Sequence, residues 1–182
     1  MKKSLIFSGA GGQGVVSAGV MTAKAAVDAG KYATFLPEYG PEQRGGSAKC
    51  TVVIDDDSII SPLAKNCDIL ITMNEQSFSK FTPQLKSGGI LLLNSNRVTS
   101  PLKREDITAI SVPVDDIAVE IGNPKVSNIV IIGALIGATG IVSEEEFLDS
   151  LKKKFASKAP VIMEMNEKAR RKGVELGKVA VK

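Results

Sequence analysis

The feature that most narrows the fold is a glycine-rich turn set between two regular elements. Leu5, Ile6 and Phe7 lie in a short apolar run over 4–8 with the length of a buried strand, and Gly9-Ala10-Gly11-Gly12-Gln13-Gly14 follows at once. Residues 15–29 then read as a helix stopped by Gly30. Its small residues Ala18, Gly19, Ala23, Ala25 and Ala26 allow it to lie close on a sheet. A second strand is predicted over 32–36, so strand, turn, helix and strand fit within about 35 residues, as in a βαβ unit.

Beyond this unit the chain continues to alternate. After a loop over 37–46, Ala48, Cys50, Val52 and Ile54 alternate with Lys49, Thr51 and Val53. The connection is too short for a crossover helix, so this third strand should run antiparallel to the second. Further strands are predicted over 68–72, 89–93 and 108–112, and helices over 74–81, 128–138, 143–155 and 161–176. Ser143 and Glu146 carry the spacing of a capping box. Asn128 is expected to cap the apolar helix that follows it, and Gly133 with Gly137 to mark a close helix contact. The expected fold is therefore α/β: a three-layer Rossmann-like arrangement, its sheet mostly parallel with one antiparallel strand after the second, forming one domain over 1–182.

Composition excludes much of the chemistry such a fold can host. The 182 residues include no histidine, so the chain alone builds neither a Ser-His-Asp triad nor a His-ligated zinc site. Two cysteines, Cys50 and Cys67, fall short of the four that an iron–sulfur cluster takes, and they read as inert buried thiols. Trp is absent, Tyr is present twice and the net charge is +3, which argues against nucleic acid as a partner. The lysines at 152–154, 158, 168 and 172 read as a solvated helical face. The apolar run at 129–138 is too short to span a bilayer and the N-terminal one too short for a signal peptide, so no membrane association and a cytoplasmic location are expected. Asp55, Asp56 and Asp57 read as a turn, with no metal site expected anywhere.

Two loops carry the candidate site. Gly9, Gly11 and Gly14 satisfy G-x-G-x-x-G after a strand and before a helix: Gly9 permits the turn, Gly11 the approach of a ligand, and Gly14 close packing of the helix. The free N–H groups at the helix start favour an anion. Glu38, just past the second strand, would complete a dinucleotide site, and the alternative is that the glycines serve packing only. Gly12 and Gln13 add a side-chain amide able to reach a ligand or a neighbouring loop. The second loop, Tyr39-Gly40-Pro41-Glu42-Gln43-Arg44-Gly45-Gly46-Ser47, lies at the sheet edge where open α/β folds bind ligands. Arg44 offers a fork for phosphate or carboxylate beside Gly45 and Gly46, or else pairs with Glu42 or Glu38 to fix the loop. Thr72, Met73, Asn74, Asn94 and Ser95 end strands on the same edge and read first as helix caps.

Taken together, the motifs at 9–15 and 39–47, with 67–74, Phe78 and 128–135 further on, resemble the gamma subunit of 2-oxoacid:ferredoxin oxidoreductases. The same domain occurs within single-chain pyruvate:ferredoxin oxidoreductases, and the second loop is most similar to the 2-oxoglutarate type. The resemblance implies an accessory subunit of an enzyme that converts a 2-oxoacid, coenzyme A and oxidised ferredoxin to acyl-CoA, carbon dioxide and reduced ferredoxin. Its partners would be alpha, beta and delta-type subunits, with ferredoxin reached through the complex. Thiamine diphosphate and iron–sulfur clusters would reside on those partners, with no catalytic residue here. Gly9, Gly11, Gly12, Gln13, Gly14, Tyr39, Arg44, Gly45 and Gly46 would then meet either coenzyme A or a partner chain. The competing expectation is a stand-alone NAD(P)-dependent oxidoreductase built on the glycine turn and Glu38.

Overall fold

The computed structural model describes residues 1–40 and 46–180. Six strands form one sheet in the order β2-β3-β1-β4-β5-β6: β1 (Lys3–Ala10), β2 (Tyr32–Tyr39), β3 (Ser47–Asp55), β4 (Cys67–Thr72), β5 (Leu85–Asn94) and β6 (Thr108–Val112). The run β1-β4-β5-β6 is parallel, whereas β3 is antiparallel to both β1 and β2. The mixed sheet follows the sequence expectation, with one difference of consequence. β2 does not lie beside β1; β3 is inserted between them, so the first βαβ unit is split.

Helices α1 (Val15–Asp28), α3 (Val114–Ile121), α4 (Ser127–Thr139), α5 (Glu144–Phe155) and α6 (Pro160–Ala180) share one core with Leu5, Phe7, Ile69, Ile71 and Ile110. The opposite face is covered by the short α2 (Glu75–Phe81), whose Phe78 and Phe81 pack with Ile6, Leu70, Leu91 and Leu93. Alternate residues of β1 and β4 thus enter two different cores, as the two-residue period of a strand requires.

Several boundaries differ from the sequence reading. β1, β2 and β5 are longer than expected, and α6 extends over 21 residues. α3 was not anticipated, although Val114, Ile117, Ala118 and Ile121 recur at i, i+3, i+4 and i+7 and Gly122 closes the helix in left-handed geometry. Asn128 is not a cap. A 3-10 turn over Pro124–Val126 leads directly into α4, which begins at Ser127, and Asn128 lies inside its first turn against Gly14. The capping box at Ser143 and Glu146 forms as expected.

The apolar run at 129–138 belongs to α4, whose residues 129–136 are buried between the sheet and α6. Its small residues explain how. A methyl group on Gly137 would collide with the Val174 carbonyl, and one on Gly133 would sit 2.5 Å from the Arg170 carbonyl oxygen. From the other side, Gly173 and Gly177 face the carbonyls of Val130 and Ala134. Two G-x-x-x-G ridges therefore cross backbone to backbone, and only the first was singled out in the sequence. Gly137→Ala and Gly173→Ala should each lower stability by about 1–3 kcal/mol, because the obstacle is backbone and cannot move aside. Urea unfolding should show a lower midpoint with an unchanged slope.

Candidate functional site

β1 delivers the glycine turn to the carboxyl edge of the parallel strands. A Cβ on Gly9 would lie 2.6 Å from Gln13 Oε1 and 2.9 Å from both Met73 and Val15 side-chain carbons. Gly12 (φ 94°) and Gly14 (φ 75°) adopt left-handed backbone conformations that other residues rarely accept. Gly14 stands at the N-cap of α1 and supplies no side chain, so the first N–H groups of the helix are left for another acceptor.

Gln13 is spent on the protein itself. Its Oε1 accepts from the Ala10 N–H at 2.7 Å, and its Nε2 donates to the Met73 carbonyl at 3.1 Å. Of the two uses open to this amide, the structure shows the one directed at a neighbouring loop, tying the turn after β1 to the end of β4.

The second loop meets the first through Gly46, whose carbonyl accepts the Gly11 N–H at 2.9 Å. Tyr39 is largely exposed and lines a cleft of about 380 Å³ with Gly11, Gly12, Gly14, Ser17 and Gly46. The glycine turn therefore forms one wall of this cleft. Arg44 and Gly45, also expected here, lie outside the described residues.

A second cleft, about 460 Å³, opens on the other side of the same turn. Gly12, Gln13 and Gly14 line it together with Arg97, Lys125 and Asn128. Sequence reasoning missed Arg97 and Lys125 because neither stands in a motif; the available signal was Arg97's place just beyond Asn94, at the end of β5. A larger hollow, about 520 Å³, lies at the opposite edge of the sheet, where Lys86 pairs with Asp68 and Lys31 donates to the Ile141 carbonyl.

The dinucleotide expectation fails on geometry. In a continuous βαβ unit the acid ending the second strand lies one strand from the glycine turn, about 5 Å away. Here that place is taken by the start of β3, and Glu38 lies on the sheet's edge strand, paired with Lys49 at 2.6 Å.

The cysteines lie in different cores, Cys50 with Phe7 and Val52, and Cys67 with Leu70 and Leu91. Burial pushes both thiols up to about 12. Among the described residues no three His, Cys, Asp or Glu side chains converge to hold a metal, so this donor set does not fit an iron–sulfur cluster. No described helix is long and apolar enough to cross a membrane. Of the expected lysine face, Lys152, Lys153, Lys154, Lys158 and Lys168 are exposed, whereas Lys172 is half-buried and pairs with Glu120.

The chain matches the pyruvate ferredoxin/flavodoxin oxidoreductase family over residues 4–176. The chain belongs to that family. It is 40% identical over 160 residues to the 2-oxoglutarate synthase subunit KorC of Methanocaldococcus jannaschii, covering 84% of this chain and 86% of that one. It is 37% identical over 157 residues to the ketoisovalerate oxidoreductase subunit VorA of Methanothermobacter marburgensis, covering 85% of this chain but only 32% of VorA. The chain thus spans about a third of the length of VorA. The crystal structure of the keto/oxoacid ferredoxin oxidoreductase gamma subunit from Geobacter sulfurreducens superimposes with a TM-score of 0.86 at 32% identity, covering 99% of this chain and 98% of that one. The 2-oxoglutarate:ferredoxin oxidoreductase of Magnetococcus marinus, solved with 2-oxoglutarate, coenzyme A and succinyl-CoA bound, shares the fold with a TM-score of 0.91 at 24% identity over 98% of this chain and 31% of its own. The chain is a gamma-subunit member of the family.

Two outcomes follow from the local geometry. Gln13→Ala removes both ties of the turn and should cost about 1–3 kcal/mol, with faster hydrogen exchange at the Ala10 amide. The thiols should resist labelling at pH 8 until the chain unfolds. Because unfolded thiols ionise near 9.0 and folded ones near 12, the unfolded state binds fewer protons in between, and stability should fall as pH rises through that window. Replacing both cysteines with alanine should flatten that fall.

Proposed function

We propose that this chain serves as the gamma subunit of a 2-oxoacid:ferredoxin oxidoreductase that converts a 2-oxoacid and coenzyme A to acyl-CoA and carbon dioxide while reducing ferredoxin. The 2-oxoacid is 2-oxoglutarate, a reading supported by the similarity to KorC; VorA and the pyruvate synthase subunit PorC of Thermotoga maritima are the competing relatives. Alpha, beta and delta-type subunits hold the thiamine diphosphate and iron–sulfur clusters, and the complex works in the cytoplasm as a single-domain gamma chain with larger partners. In this role the chain brings no catalytic residue; it contributes a surface.

The observation that carries the reading is the start of α1 at Gly14, which has no side-chain cap and lies where the glycine turn lines two clefts. Such a helix start suits a phosphate, and coenzyme A carries phosphates. Coenzyme A is bound in the Magnetococcus protein that shares the fold. Gly9 and Gln13 shape the turn, Gly11, Gly12 and Gly14 line it, and Tyr39, Arg44, Gly45 and Gly46 form the loop beside it. The second reading, that both loops meet a partner chain, is favoured by the exposure of Tyr39.

Affinity purification of the tagged chain from its native cell should recover larger subunits containing thiamine diphosphate and iron–sulfur clusters. Partners without those groups overturn the assignment, as does NAD(P)-dependent turnover by the chain alone. Calorimetry of the purified chain should show coenzyme A binding, and silence up to millimolar ligand favours the partner-contact reading.

A further inference from the structure

We propose that the hollow of about 520 Å³ at the amino edge of the sheet is a binding site for a small aliphatic carboxylate, held by Lys3 and Lys31 beside an apolar lining of isoleucines. It lies at the opposite edge of the sheet from the glycine turn, and the inference stands independently of the coenzyme A reading.

A bulge in β5 borders the hollow. Cys67 pairs with Leu85 and Ile69 with Ile90, so two steps along β4 match five along β5, and the three extra residues leave the ladder. Glycine makes this possible. Gly88 adopts a left-handed backbone (φ 72°) with its N–H donating to the Asp106 carbonyl at 2.7 Å. A methyl group on Gly89 would lie 2.8 Å from the Lys86 carbonyl oxygen and 3.0 Å from that of Asp68. Bulges of this kind recur at sheet rims beside binding sites. Next to it the apolar core reaches the hollow, which is lined by the buried Ile54, Ile69 and Ile141 and the half-buried Ile90. The volume is that of a small-molecule site.

Charge decides the class of ligand. The side chains of Lys3, Lys31 and Lys86 line the hollow against those of Asp56 and Asp68, an excess of one positive charge. Asp68 is fully engaged: its Oδ1 accepts from Lys86 Nζ at 2.9 Å, and its Oδ2 from the Ser4 N–H and hydroxyl at 2.8 Å each. Lys86 is neutralised by that pair. Lys3 and Lys31 are half-buried and have no carboxylate partner among the described residues. Lys31 Nζ donates to the Ile141 carbonyl at 3.0 Å, just beyond the end of α4, so one of its three ammonium hydrogens is used and two remain. The bond fixes this ammonium beside the hollow and offsets the negative end of the α4 dipole. A carboxylate accepts from the free ammonium hydrogens while its aliphatic body takes the isoleucines out of water. A bare inorganic anion leaves that lining wet, and a cation meets like charge.

The test is calorimetry on the full chain with 4-methylpentanoate, acetate and 4-methylpentanamide. 4-Methylpentanoate should bind in the millimolar range or tighter. Acetate lacks the apolar body and the amide lacks the charge, so each should bind at least about tenfold more weakly. Lys3→Gln and Lys31→Gln should each weaken 4-methylpentanoate by about tenfold and reduce its salt dependence. Saturating coenzyme A should leave the titration unchanged, because the glycine turn lies at the other edge of the sheet. The Lys3 side chain has no hydrogen-bond partner among the described residues, so Lys3→Gln folds and decides the matter even if Lys31→Gln is unstable. No binding of 4-methylpentanoate, equal binding of the amide, unaltered binding by both lysine variants, or competition by coenzyme A overturns the inference. Each of these outcomes leaves the coenzyme A reading intact.

Discussion

The reversal of β3 organises everything at the carboxyl edge of the sheet. Because it runs against β1 and is wedged between β1 and β2, it brings its first residues to the place where the parallel strands end. Ser47 lies opposite Ala10, and Gly46 accepts the Gly11 N–H. A parallel strand in that position would present its last residues there, including whatever acid ended it. The antiparallel one presents a glycine carbonyl, and the turn is braced by backbone. What would be a ribose-reading corner in a dinucleotide fold thus becomes the foot of a second loop.

The same wedge sets the electrostatics. With Glu38 carried to the outer strand and satisfied by Lys49, no carboxylate among the described residues lining either cleft opposes the glycine turn except Asp115, which is tied to Arg97. The turn keeps its positive character because Gly14 brings no side chain to neutralise the helix start and Gln13 directs its amide inward. An ordinary Ser or Asp cap would add local stability and fill the place an anion needs. Gly14 gives up that cap, and Asn128 packs against it from α4, so the opening is held by tertiary contact.

The sequence displayed local features well and relations between distant segments poorly. The turn at 9–14, the helix after it, the antiparallel third strand and the Ser143–Glu146 box all depend on spacings of a few residues, and all are present. The insertion of β3 was not legible, since neither the length of the loop at 37–46 nor the alternation in β3 says on which side that strand pairs. Asn128 was misread for a related reason: an Asn before an apolar helix signals a cap, but the 3-10 turn at Pro124–Val126 had already begun the winding. Arg97 and Lys125 stand far apart in sequence and converge only because β5 and the entry to α4 end at one edge. The crossing of α4 and α6 was half visible, because Gly133 and Gly137 lie in a conspicuous apolar run while Gly173 and Gly177 are hidden among charges.

That crossing also bears on how the chain presents its site. Four glycines allow α4 and α6 to meet at backbone distance, and a contact of this kind has little tolerance, since carbonyls cannot rotate away as side chains do. α4 is in turn the element that places Asn128 against Gly14, and the turn preceding it carries Lys125. The entry to α4 is therefore fixed by its packing against α6, and one wall of the cleft with it. A charge carried at the entry to a helix whose residues 129–136 are buried is held in place beside the glycine turn. The uncapped start of α1 gains from this placement, because a dipole contributes to binding an anion only when it is already oriented before the anion arrives.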